Sequence, residues 1–193
     1  MKNGFFAENS KYIWKLVRTH LVMAIFGLMV FIPFNLDKAA MNYFMLFGSA
    51  AGIILYMFLI DVDMWYLGAE DRIRTDAGRQ KKCAFKGFLI GLCAEIPSIV
   101  LGIAYAVISV LYSYYQSYPS GQAYGAAKVV SYLACFLWNG VYLGVEKTLG
   151  GATVPLYHLL SPLLPVLFAG LTYALGYSGS NFLKPPSKEK KQK

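Results

Sequence analysis

Long uncharged tracts dominate the pattern of hydrophobic and polar positions along this chain. Asp, Glu, Lys and Arg are absent from five stretches: 19–36, 39–60, 96–127, 129–145 and 148–183. A helix rises about 1.5 Å per residue and the hydrocarbon core of a bilayer is about 30 Å thick, so about 20 apolar residues make one crossing. The pattern therefore predicts an all-α protein, a polytopic integral membrane helical bundle.

The composition agrees with a lipid environment. Of 193 residues, 57% are hydrophobic, 16% aromatic and 15% charged, whereas a soluble domain carries about 25% charged residues. The segments between the tracts are too short for a soluble domain, so we expect a single membrane domain over 1–193. The three cysteines show no Cys-x-x-Cys spacing, which argues against a zinc site or a disulfide framework. We expect no cofactor.

The net charge of +8 is concentrated in three segments. These are the amino terminus over 1–18, a charged connector over 61–86 and a Lys-rich tail over 184–193. Lys and Arg concentrate in cytoplasmic loops, so we expect both termini and the connector to face the cytoplasm. The charge is then a topology signal, and the expected partner is the lipid bilayer rather than nucleic acid.

The number of crossings stays open between several arrangements. Five full crossings would place the Lys-rich tail outside, against the charge rule. Four crossings result if 129–145 is interfacial or re-entrant, or if 148–183 enters and returns as a hairpin. A single kinked helix over about 152–177 fits the first of these arrangements. Three prolines interrupt that last tract: Pro155, Pro162 and Pro165. We therefore predict four transmembrane helices plus one segment that is re-entrant, interfacial or a fifth crossing.

Small residues recur at a spacing that suits close helix packing. Three Gly-x-x-x-Gly pairs are predicted packing sites: Gly48 with Gly52, Gly87 with Gly91, and Gly140 with Gly144. Glycines four residues apart lie on one helix face and let a second backbone approach. These contacts could form within the chain, in a homo-oligomer, or with other membrane subunits.

Glu95 is the one acidic residue that this pattern places inside the membrane, eight residues after Gly87 and followed by Pro97. An intramembrane carboxylate costs about 2.5–3.5 kcal/mol at the bilayer centre and is by default a functional candidate. Glu95 and Pro97 are therefore the predicted pathway residues. In the alternative interpretation the span begins later, and Glu95 pairs at the interface with a base such as Arg18 or Lys86.

The remaining chemistry is sparse. His20 and His158 each lack a second His or a carboxylate at helical metal spacing, so we expect structural roles for both. The sequence contains no Gly-x-Ser-x-Gly, His-Glu-x-x-His or phosphate-binding Gly-x-x-x-x-Gly-Lys-Ser/Thr pattern. Familiar hydrolases and nucleotide-driven motors are therefore not favoured.

The connector over 61–86 is the most polar element. Charge pairs at i,i+4 predict a short helix over about 69–76, and Gly78 suits its C-cap. The connector is either a solvated link or a docking element for a cytoplasmic partner. The docking candidates are Trp65, Tyr66, Glu70, Asp71, Arg72, Arg74 and Arg79. Asp61 and Asp63 are weak candidates for a hard cation.

A family resemblance rests on four parts of the chain. These are 68–72, 78–79, 86–92 with Pro97, and the glycine-rich run 170–179. Together they cover about a third of the chain and resemble small uncharacterised multi-span membrane proteins of Gram-positive bacteria. The resemblance implies a bacterial cytoplasmic membrane, and it implies no activity.

The leading functional expectation is a transport-related or accessory subunit of a membrane complex, with 61–86 as the cytoplasmic contact and Glu95 in the pathway. One alternative is a membrane-embedded enzyme acting on a lipid-linked substrate at the cytoplasmic interface. That enzyme would need several acids gathered around a metal: Asp61, Asp63, Glu70, Asp71 and Asp76. The other alternative is a purely structural assembly protein.

Overall fold

The computed structural model describes residues 4–30, 38–81, 83, 85–149 and 154–179. The Lys-rich tail over 184–193 lies outside this part. The helices within it are α1 Phe5–Met29, α2 Lys38–Asp76, α3 Lys86–Ala94, α4 Ile96–Tyr115, α5 Gly121–Trp138, α6 Leu143–Leu149, α7 Pro155–Leu160 and α8 Leu163–Ser178, with a 3₁₀ turn at Gly140–Tyr142 before α6. The prediction of an all-α fold is confirmed.

Helices long and apolar enough to cross a membrane number four in the described residues. They are Phe5–Met29, Ala40–Asp76, Ile96–Tyr115 and Pro155–Ser178. The last of these joins α7 to α8, which supports the kinked single helix for the 148–183 tract. A further pair, Gly121–Trp138 with Gly140–Leu149, is bent by 81°. Length and composition therefore indicate a multi-pass membrane protein with one sharply broken segment.

Helices α1 and α2 run antiparallel over their full contact. Lys15 Nζ lies 2.5 Å from Asp63 Oδ1, and the Tyr12 hydroxyl donates to Glu70 at 3.2 Å. At the other end of the pair, Val30 packs where a side chain on Gly48 would lie. Helix α1 begins at Phe5, well before the uncharged tract begins at 19, and Lys15 in this early part pairs with an acid of α2.

The expected connector over 61–86 is mostly helix. Helix α2 continues without a break from the membrane-length part to Asp76, so the predicted short helix over 69–76 is its last two turns. It ends where Gly78 adopts a φ of +69°, with its N–H donating to Thr75 O and the N–H of Arg79 donating to Arg74 O. This pair of bonds is a Schellman C-cap, as Gly78 predicts.

Helices α3 and α4 pack as one antiparallel partner of the α7–α8 segment. A side chain added at Gly87 would meet Tyr173, one at Gly91 would meet Val166, and one at Gly102 would meet the His158 carbonyl. Helices α3 and α4 therefore run in the same direction on either side of Glu95, which separates them. Pro97 in the first turn of α4 explains this break, because proline has no N–H and its ring clashes with the carbonyl four residues earlier.

The segment from α5 to α6 turns back on itself, and we call residues 121–149 the re-entrant hairpin. Helix α5 packs antiparallel to α4, with Tyr124 stacked on Tyr115 near its start and Cys135 donating to Leu101 O near its end. After the bend, α6 lies beside the first turns of α2, where the N–H of Gly144 donates to Ser49 Oγ at 2.9 Å. The chain thus enters and leaves on the side of the bundle where α2 begins. Among the arrangements left open by the sequence, these contacts favour a re-entrant 129–145.

Glycines let the tip of this hairpin reach the centre of the bundle. A Cβ on Gly27 would collide with the backbone of Gly140, and a Cβ on Gly140 would collide with Ala24 O. The two glycines Gly140 and Gly144 are not on one regular helix as expected, since a 3₁₀ turn precedes α6. The three predicted packing pairs make close contacts within the chain, since Gly48, Gly52, Gly87 and Gly91 also face neighbouring segments.

The described basic segments meet at one end of the bundle, which we call the basic end. It contains the start of α1, the end of α2 and the start of α3. The end of α8 also lies there, because Arg72 Nη1 donates to the carbonyl of Ser178 at 3.2 Å. This arrangement agrees with the clustering of charge expected from the sequence.

Candidate functional site

The junction between α3 and α4 holds a buried polar cluster, the central site, made of His20, Tyr56, Glu95, Ser98 and Trp138. Glu95 is 2% exposed, and its Oε1 lies 3.1 Å from His20 Nδ1. The Tyr56 hydroxyl donates to the same oxygen at 3.0 Å. The α3–α4 junction therefore supplies the carboxylate, and α1 and α2 each supply one of its partners.

The re-entrant hairpin closes the central site from the opposite side. His20 Nε2 lies 3.1 Å from the carbonyl of Trp138, and the Trp138 indole N–H donates to Ser98 Oγ at 2.7 Å. The Ser98 hydroxyl in turn donates to Glu95 Oε2. The Trp138 and His20 rings stack with centroids 5.2 Å apart. The end of α5 is thus part of the site.

These contacts define what the central site can do chemically. With Nε2 donating to the Trp138 carbonyl, His20 Nδ1 either donates to Glu95 as imidazolium or accepts a hydrogen bond as neutral imidazole. The two partners are within direct proton-transfer distance. The pair can therefore hold a proton on either residue while the surrounding side chains stay in place.

The structure changes the expected surroundings of Glu95. The predicted interfacial partners were Arg18 or Lys86, but Arg18 is exposed and Lys86 pairs with Asp71 at 2.7 Å. The partner is His20, 75 positions away. Pro97 is only partly buried and acts through the helix break that places Glu95.

A second buried cluster, the hairpin site, contains Asn139, Tyr142, Glu146 and His158. Glu146 is 4% exposed and its Oε2 lies 3.4 Å from His158 Nδ1. Asn139 Nδ2 lies 3.3 Å from the same nitrogen. The charge pattern of the sequence predicts only Glu95 inside the membrane and does not identify Glu146, which directly follows the uncharged tract 129–145. The sequence feature that could identify Glu146 is its position directly after a tract that is too short to cross the membrane and return.

The hairpin site differs from the central site in its hydrogen bonding. Within the described structure, four of its buried oxygens have no hydrogen-bond partner: both carboxylate oxygens of Glu146, Asn139 Oδ1 and the Tyr142 hydroxyl. Buried polar groups are almost always paired. In the described part of the chain, these oxygens of the hairpin site therefore lack the hydrogen-bond partners that buried polar groups normally have.

A third buried carboxylate, Asp71, lies at the basic end. Lys86 Nζ donates to its Oδ2 at 2.7 Å, and the Tyr173 hydroxyl donates to the same oxygen at 3.0 Å. Asp71 is 0% exposed, so it ties α2 to α3 and α8 and does not belong to an exposed docking face. The other docking candidates are exposed, except that Trp65 is partly buried: Tyr66, Glu70, Arg72, Arg74 and Arg79.

The acids required by the enzyme hypothesis do not gather around one point. Asp63 pairs with Lys15, and two further ion pairs form along α2: Glu70 with Arg74, and Arg72 with Asp76. Within the part of the chain that the structure describes, no three His, Cys, Asp or Glu side chains are grouped to hold a metal. The weak cation candidate at Asp61 and Asp63 therefore gains no support.

No protein family, curated protein or solved structure matches this chain. The residues of the two sites are therefore the basis for inferring a function, and the resemblance to Gram-positive membrane proteins stays a prediction.

Proposed function

We propose that this chain is a transport-related membrane protein that carries protons or another small monovalent cation through the centre of its bundle. The observation that carries the proposal is the meeting of the re-entrant hairpin tip with the α3–α4 junction at the buried Glu95–His20 pair. Helix breaks at membrane depth are tolerated where protein or a water-filled cavity surrounds them. In transporters such breaks form substrate and ion sites near the bilayer midplane.

Tyr142 supports a connection between the two sites. It is 5% exposed, and it lies within electrostatic range of both Glu95 and Glu146. Its hydroxyl makes no hydrogen bond to either carboxylate in the described structure. A charge held at Glu146 and a charge held at Glu95 would therefore influence each other electrostatically across this side chain.

The proposed orientation places the basic end on the cytoplasmic side of a bacterial cell membrane. Lys11, Lys15, Arg72 and Arg74 lie at that end, in agreement with the positive-inside rule. The re-entrant hairpin would then enter from the outer side, so the hairpin site would be reached first from outside and the central site second.

Liposome flux measurements test the transport proposal. Purified protein is reconstituted with an internal pH-sensitive dye, and a potassium diffusion potential is applied in the presence or absence of sodium. We expect liposomes with wild-type protein to show a much faster cation flux than empty liposomes. Glu95→Gln should lower this rate by about tenfold or more, since loss of a proton-transfer group slows an essential step by at least that factor. Glu70→Gln, a neutralised exposed acid, is the matched control and should keep the wild-type rate. Wild-type liposomes that leak no faster than empty ones would overturn the proposal.

A second candidate, an accessory subunit, is favoured by the far end of α2. Tyr66 and Ile73 are 65% and 70% exposed there, beside Arg72 and Arg74. Exposed aromatic and Arg groups often carry interface energy. Purification from native membranes in mild detergent, with mass spectrometry, should then recover a stoichiometric partner that Arg72→Glu with Arg74→Glu releases. Recovery of the chain alone would count against this candidate.

A further inference from the structure

The hairpin site has its acceptor groups aligned on one stripe. Asn139, Tyr142 and Glu146 are spaced by one 3₁₀ turn and then one α turn, so they lie on the same side of the chain. Asn139 and Glu146 both reach His158 Nδ1, at 3.3 Å and 3.4 Å. The bend at the hairpin tip therefore directs the stripe toward α7.

No hydrogen-bond donor reaches the acceptor oxygens of this stripe in the described structure. The Glu146 carboxylate and Asn139 Oδ1 are acceptors only, and the structure shows no hydrogen-bond donor for any of these three oxygens. With Asn139 Nδ2 donating to His158 Nδ1, that nitrogen is itself an acceptor and presents a lone pair to Glu146. A buried acceptor left unpaired costs about 1–3 kcal/mol, and more when it is charged. Something with positive charge would relieve several of these costs at once.

We propose that Glu146, Asn139 and Tyr142 form a binding site for one sodium-sized monovalent cation. Hard cations take carboxylate, amide and hydroxyl oxygens as ligands. The site has one carboxylate, so a single positive charge neutralises it, whereas a divalent ion would leave an uncompensated charge in an apolar region. Asn139 and Glu146 are 0% and 4% exposed, which keeps the ion away from competing solvent.

The proposal concerns binding, so it can be tested apart from transport. Detergent-purified protein is titrated with radioactive ²²Na⁺ at constant ionic strength, with N-methylglucamine as the replacement cation, and its thermal midpoint is recorded in both salts. We expect saturable binding of about one ion per chain and a higher midpoint in sodium, because a ligand that binds only the folded state stabilises it.

Variants then assign the site. Glu146→Gln should weaken sodium binding by about tenfold or more, a loss of at least about 1.4 kcal/mol, and make its thermal midpoint independent of sodium. Tyr142→Phe removes only a hydroxyl and should weaken binding by a smaller factor. Glu70→Gln, which neutralises an exposed acid on α2 outside both buried sites, is the matched control and should bind sodium as wild type does.

Several outcomes would overturn the inference. Wild-type protein with no saturable sodium binding and the same midpoint in both salts has no such site, and a midpoint that responds to pH alone identifies a proton site instead. If Glu146→Gln bound sodium with wild-type affinity, the ion would bind at some other site. Should that variant fail to fold, the wild-type titration and Tyr142→Phe still decide. Sodium binding without flux keeps this site and removes transport, while flux without sodium binding does the reverse.

Discussion

The two buried glutamates of this protein have nearly the same exposure and very different surroundings. Glu95 is 2% exposed and has partners on α1, α2 and α4, namely His20, Tyr56 and Ser98. Glu146 is 4% exposed and lies near His158, but the structure shows no hydrogen bond to its carboxylate. The carboxylate of the central site is therefore fully hydrogen-bonded within the fold, whereas the hairpin site leaves buried acceptor oxygens without a donor in the described structure.

Truncation of each glutamate to alanine should reveal this difference most strongly. Glu95→Ala leaves His20, Tyr56 and Ser98 without their shared acceptor, and removal of one member of a buried pair costs about 3–5 kcal/mol. Glu146→Ala leaves no donor unpaired, so we expect a loss of free energy of unfolding at least about 2 kcal/mol smaller. Unfolding by SDS titration in mixed micelles, in sodium-free buffer, measures both. Equal losses would contradict the distinction between the sites.

Packing at the hairpin tip supports both sites together. Gly27→Ala would push a Cβ into the backbone of Gly140 and Val141, and overpacking of this kind costs about 1–3 kcal/mol. Because Trp138 and Asn139 flank this contact, we expect sodium binding and flux to fall together. Gly4→Ala, which has open space around its Cβ, is the matched control. Loss of only one activity in Gly27→Ala would show that the two sites are independent.

A pair of buried tyrosines gives a smaller and cleaner comparison. Tyr56→Phe removes the hydroxyl that donates to Glu95, which should lower the free energy of unfolding by about 1.5 kcal/mol. Tyr142→Phe removes a hydroxyl with no hydrogen bond, so in sodium-free buffer its stability should equal or exceed that of wild type. The same SDS titration applies. A larger loss for Tyr142→Phe than for Tyr56→Phe would mean that Tyr142 is paired in solution.

Truncation of an exposed acid should have the smallest effect on the free energy of unfolding among the glutamate truncations. Glu70 lies 2.6 Å from Arg74 on the surface of α2, with side chains 47% and 50% exposed. An i,i+4 pair of this kind contributes about 0.3–0.5 kcal/mol and is screened by salt. Glu70→Ala also removes the exposed hydrogen bond from Tyr12. It should therefore lower the free energy of unfolding by no more than about 1 kcal/mol at low salt, and by less at high salt. A loss comparable to that of Glu95→Ala would remove burial as the explanation of the series.

The transmembrane helices follow from residues that can be located without any structure. The uncharged tracts around Ile53, Ile103 and Leu167 predict helices that cross lipid, because unpaired backbone groups and charges are costly there. The bounds were less predictable. Helix α1 starts at Phe5 and α2 continues to Asp76, both beyond the uncharged tracts, and the Lys15–Asp63 pair joins these two extensions.

The central site could be predicted only in part. The cost of burying an acid marks Glu95 in the sequence, but His20 is 75 positions away and no spacing rule connects the two. Asp71 was expected on an exposed docking surface, because its neighbours in sequence are charged. Its burial depends on Lys86 and Tyr173, which reach it from two other helices.

Residue order alone decides that this chain is an all-α membrane protein with its charge gathered in a few segments, because hydropathy and helix length are local quantities. The tertiary structure decides that α6 returns beside α2 and that α7 and α8 form one kinked span. It also decides which histidine faces which glutamate. Those outcomes depend on close backbone contacts, such as Gly27 with Gly140, between residues far apart in the chain, and a local pattern carries no information about such partners.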